Sequence, residues 1–76
     1  MNKAKTKLPF KDMDIGSKSE EITNPFSGNS CMLEPEAVAV YDVIKGAEML
    51  GRYDTVRKGL DWFIDNYPSE YMTLLD

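Results

Sequence analysis

Residues 35–51 read PEAVAVYDVIKGAEMLG, and the fold turns on this run. Pro35 at a first helical position suits a helix, because its ring presets φ and the amide proton it lacks has no intrahelical partner there anyway. Glu36 then places a negative charge at the positive end of the helix dipole. Gly51 stands where a left-handed glycine ends a helix. Between them, Ala37, Val40, Val43, Ile44, Ala47 and Leu50 fall on one stripe at 100° per residue. The stretch predicts a helix of about four turns with that stripe toward a core.

Working outward toward the C-terminus, a second helix is predicted over 54–66. Tyr53, Val56, Leu60, Phe63, Ile64 and Tyr67 form its apolar stripe, with Asp54, Arg57, Lys58, Asp61 and Asp65 opposite. A short glycine-containing link between two amphipathic helices favours an antiparallel hairpin. Pro68 ends the second helix and can open a short third one over 69–75, whose Tyr71, Leu74 and Leu75 would fold over the open end of the hairpin.

Toward the N-terminus the pattern is lost. Residues 1–22 have neither helical nor strand periodicity and read as a flexible, extended basic arm punctuated by Pro9 and Gly16. Residues 23–34 read as a turn segment. In Asn24-Pro25 the proline pushes its predecessor out of the helical region, and Gly28 permits a left-handed residue. The expected fold class is all-α: a helical hairpin plus a short C-terminal helix in a mini-domain over 35–76, preceded by the arm.

Seventy-six residues make one domain at most. A chain this size hides only about 60% of the surface its unfolded form exposes, so its core is marginal. Cys31 is the single cysteine and there is no histidine, which leaves no disulfide, no zinc ligand set and no His-based triad or general base. The expectation is therefore no metal, no cofactor and no catalysis. No glycine spacing marks a phosphate loop, and Cys31 without a basic neighbour reads as a half-buried packing residue. The first ten residues lack the apolar run of a secretory signal, and no stretch of about 20 apolar residues could span a bilayer. A soluble intracellular protein is expected, with no membrane partner.

Charge is unevenly spread. Residues 1–18 carry five lysines against Asp12 and Asp14, while 19–76 carry four basic residues against eleven acids, for a net charge of −4 overall. A basic arm on an acidic body can meet its own body, an acidic partner or a phosphate backbone. The acidic body argues against nucleic acid, since wide duplex contact needs a cation for each phosphate met.

Several apolar residues miss the two stripes. Val38, Tyr41 and Met49 lie on the back of the first helix, and Trp62 lies on the back of the second beside Gly59. A glycine inside a helix costs about 1 kcal/mol relative to alanine; something packing closely against it would explain its presence. One reading covers Trp62 from within the chain, using the third helix or the segment around Phe26. The other presents Trp62 and Gly59 to a partner, where aromatic anchors dominate binding energy. Phe26 faces the same choice, and at nine residues before the first helix a turn could swing it onto the hairpin. Leu8, Phe10, Met13, Ile15, Ile22, Phe26, Met32 and Leu33 are all available as cover, more than a two-helix hairpin can seat. The candidate partner-binding residues are Trp62, Gly59, Tyr41, Met49 and Phe26.

Three resemblances bear on these expectations. Residues 47–68, with Gly51 and Tyr53 in the link, Val56, Leu60 and Phe63-Ile64 at packing spacing and Pro68 at the end, are similar to the second half of a tetratricopeptide repeat. Ile44 and Val56 depart from the small residues usual at that repeat's crossing, so the likeness implies a helical hairpin rather than the repeat itself. Asn24-Pro25-Phe26 matches the tripeptide that eukaryotic EH domains bind as a turn. Residues 23–76, through NPFSG, PEAVAVYD, IKGAEMLG, VRKGLDWF and NYPSEYM, resemble short uncharacterised proteins encoded by tailed bacteriophages. That resemblance implies a small phage accessory protein that binds and modulates a host protein in the host cytoplasm. The alternative it implies is a minor structural component of the virion, whose N-terminal arm orders on assembly.

Overall fold

The computed structural model describes residues 8–10 and 15–75. The rest of the arm expected to be flexible, residues 1–7 and 11–14 with Met13 among them, lies outside the described residues. The elements run β1 (Glu20–Thr23), β2 (Ser30–Leu33), α1 (Pro35–Leu50), α2 (Tyr53–Asn66) and α3 (Pro68–Leu74).

The helices follow the expectation closely. Pro35 opens α1, and Gly51 closes it at φ 71° with its N–H on the Glu48 carbonyl and that of Arg52 on the Ala47 carbonyl. With only residues 51 and 52 between α1 and α2, the chain reverses. An added Cβ on Gly59 would lie 2.5 Å from Ile44 Cγ1, so the helices touch at positions nearly equidistant from the link. That symmetry is what an antiparallel hairpin requires. Pro68 breaks α2 from α3, and Leu74 of α3 enters the core while Tyr71 and Leu75 border it.

The segment read as a turn, together with residues 20–22 of the stretch read as a flexible arm, is instead a β-hairpin, so the fold is mostly helical but not all-α. Glu20 pairs with Leu33, Glu21 with Met32, Ile22 with Cys31 and Thr23 with Ser30. Side chains alternate across a strand. Ile22, Cys31 and Leu33 face the helices, whereas Glu21, Thr23, Ser30 and Met32 face water. Leu33 is wholly buried and β2 lies against α3. Gly16, Lys18 and Glu20 share a shallow depression with Val38, Ala39 and Asp42, so the chain entering β1 runs along the back of α1.

This covering changes the burial of α1. Val38 and Tyr41, expected on an open face, are buried, and Ala37, Val40, Ile44 and Ala47 are buried as expected. Leu50, expected in the core, is exposed beside the cap. Early in the helix α1 is apolar all round because it is enclosed all round. Phe63, Leu33, Ile44 and Val40 are the largest side chains fully shielded from water, each worth about 1.5–3 kcal/mol on burial.

Candidate functional site

The five residues expected to form a contact patch do not form one. Trp62 is only 7% exposed. Its ring centroid lies 5.7 Å from that of Phe63 and 5.5 Å from that of Tyr67, within the main apolar core. Gly59 is buried because Ile44 occupies the space its side chain would take, and Phe10 lies 3.5 Å from the same point. The Lys58 ammonium sits 5.9 Å from the Phe10 ring centroid, so residues 8–10 dock on the chain's own body. Tyr41 is buried as well, with Lys45 Nζ 5.7 Å from its ring. These three residues hold the fold and present no open surface.

Phe26 and Met49 are the two that face water, 94% and 87% exposed. Of the two choices open to Phe26, swinging onto the hairpin or facing outward, the structure shows the second, and the turn that carries it shows why. The Asn24 side-chain oxygen accepts hydrogen bonds from the Phe26 N–H (2.8 Å) and the Ser27 N–H (3.4 Å). The Asn24 carbonyl accepts from Gly28 N–H, and the Asn29 carbonyl from Asn24 N–H, each at 2.8 Å. Gly28 at φ 80° supplies the left-handed residue that the return to β2 needs. The Ser27 hydroxyl oxygen accepts from Asn29 N–H at 3.1 Å. The tip is thus a closed network that aims Phe26 outward.

The tip is also tied to the body. Asn24 Nδ2 donates to the Thr73 carbonyl of α3 at 3.1 Å, and the Thr23 and Ser30 hydroxyls share a 2.7 Å hydrogen bond at the mouth of the turn. Pro25 and Phe26 border a depression of about 210 Å³ with Lys45, Glu48, Leu74 and Leu75. Lys45 and Glu48 form an ion pair at 3.4 Å. Met49 lies one turn beyond Lys45, on the same side of α1. An exposed aromatic and a modest ion pair border this depression, and Met49 is exposed one turn farther along α1.

A second apolar surface escaped the sequence reading. On α2 the buried side runs through Gly59, Trp62, Phe63 and Asn66, rotated by roughly 100° (one residue's step) from the stripe expected to face the core. The expected core stripe instead lines a groove of about 470 Å³, where Tyr53, Val56, Leu60 and Ile64 meet Tyr71 of α3. Only Phe63 and Tyr67 of that stripe are buried. The signal that could have revealed it was the Gly59–Trp62 pair, since a missing side chain beside the largest one marks a close crossing.

The titratable groups near the core are shielded. Tyr67 donates its hydroxyl to Glu34 Oε1 at 2.6 Å, joining the end of α2 to the start of α1. Burial, that hydrogen bond and the negative charges of Glu34, Glu36 and Glu70 hold the hydroxyl well above its ordinary range. Burial, and then the charge of Glu70, push the Cys31 thiol up too, which keeps it protonated and weakly nucleophilic. Among the described residues no three Cys, Asp or Glu side chains gather to hold a metal ion, and no helix is long and apolar enough to cross a membrane.

No protein-family model matches the chain, nor does any curated protein or solved structure resemble it closely enough to count as a relative.

Proposed function

We propose that this chain is a small non-catalytic protein–protein interaction module that engages its partner through the hairpin tip, with Phe26 as the anchor and Met49 at its edge. One observation carries this reading: a phenylalanine 94% exposed on a turn closed by its own hydrogen bonds and tied to α3. Burying such a ring in a partner's pocket contributes about 1.5–3 kcal/mol. A turn already ordered loses little further entropy on binding. In the form the bacteriophage resemblance implies, the partner is a host protein that the module modulates. The virion alternative relies on an arm that orders against neighbouring subunits; the docking of Phe10 on Gly59 of its own chain weighs against it.

The test replaces Phe26 with a photo-crosslinking phenylalanine analogue and exposes the chain to host extract. A discrete crosslinked product, lost when unlabelled wild-type chain competes and not lost when Phe26→Ala competes, is the expected result. If Phe26→Ala competes as well as wild type, the tip is not the contact.

A further inference from the structure

The groove on α2 lies apart from the hairpin tip and poses a separate question. Its apolar residues 53, 56, 60 and 64 are spaced as one face of a helix, and Tyr53 and Ile64 are 72% and 44% exposed. Asp54, Arg57 and Asp61 line the same groove in the order acid, base, acid. Among the described residues none of these three charges is in an ion pair.

We propose that this face is the interface of a two-fold homodimer in which α2 of one copy lies antiparallel to α2 of the next. Turning α2 end for end about an axis at Leu60 sets Leu60 against the second copy's Leu60 and Val56 against its Ile64. The same rotation brings Arg57 within one helical turn of the second copy's Asp61. Two-fold symmetry makes that opposite-charge meeting occur twice. A parallel pairing would instead set each acid beside its own copy, where like charges oppose association. The mixed signs along the groove therefore favour a second copy of this chain in the antiparallel sense.

Sedimentation equilibrium of the full chain, followed over a wide concentration range, tests this. A monomer–dimer equilibrium is expected. Ile64→Asp, on a side chain outside the core, should raise the dimer Kd by roughly tenfold or more with unchanged helical circular dichroism. Arg57→Asp or Asp61→Arg alone should weaken the dimer, and the two together should restore it. Phe26→Ala should leave the Kd unaltered, which separates this interface from the hairpin tip. A wild-type chain that stays monomeric to about 1 mM overturns the proposal. So does a dimer indifferent to Ile64→Asp, a charge reversal that the second reversal fails to rescue, or a monomer whose groove takes a lysine-rich amphipathic peptide.

Discussion

The two sides of α2 start from similar apolar inventories and end differently. On one side Gly59 brings Ile44 of α1 into direct contact, and Trp62 and Phe63 are sealed beneath the neighbouring elements. On the other side Tyr53, Leu60 and Ile64 remain along an open groove. An aromatic side chain carries about 150–250 Å² of surface, so hiding Trp62 outweighs hiding any one of the smaller aliphatic residues. A helix pair that approaches closely also gains dispersion contacts that a wider spacing forfeits. Periodicity counts apolar residues per face; size and closeness of approach decide which face closes.

The most forceful way to break the comparison is Trp62→Ala, which should destabilise the fold by about 3–5 kcal/mol. That approaches the whole stability of a small domain, roughly 5 kcal/mol. Urea unfolding followed by far-UV circular dichroism measures it, and a loss below about 1 kcal/mol would place the indole outside the core.

Next comes Gly59→Ala, whose new methyl would sit 2.5 Å from Ile44 Cγ1 and 2.9 Å from Cδ1. Overpacking of this kind costs about 1–3 kcal/mol, more than the roughly 1 kcal/mol that alanine returns as helix propensity. In a cycle with Ile44→Ala, which removes the clashing atoms, the double variant should be less destabilised than the two single losses added together. Gly46 provides the control, because nothing lies within 4 Å of its added Cβ. Alanine there should stabilise by up to about 1 kcal/mol.

A smaller effect is expected from Tyr67→Phe, which removes the hydrogen bond to Glu34 and should cost about 1 kcal/mol at neutral pH. Because the folded chain holds this hydroxyl above its ordinary value of 10.0, its stabilising contribution is complete below pH 10 and is lost as the pH rises further. Unfolding midpoints across the alkaline range should fall more steeply for wild type than for Tyr67→Phe. Smallest of all is Tyr53→Ser on the open side, expected within about 0.5 kcal/mol of wild type in dilute solution.

The helical part was legible because its punctuation is local. Pro35, Gly51 and Pro68 mark ends that the structure keeps, and the spacing from Ala37 to Ala47 identifies a helix without knowledge of its neighbours. The strands were not legible. Each has four residues, their inward set is only Ile22, Cys31 and Leu33, and six residues separate them instead of the two that announce a tight hairpin. The orientation of α2 was hidden for another reason. Its two apolar sides overlap at Phe63; the Gly59–Trp62 pair points to the closed side, and the position of Ile44 on the other helix decides it. The choice between a docked and an outward Phe26 stayed open because its direction depends on where the Asn24 side chain bonds, which composition does not reveal.

The hydrogen bond from Asn24 to the Thr73 carbonyl links residues forty-nine positions apart. Helix α3 therefore sets the posture of the aromatic tip. Deleting α3, or fusing a bulky tag to it, should loosen Phe26 without touching it, and a partner that grips the tip should in turn slow hydrogen exchange in the last turn of α3.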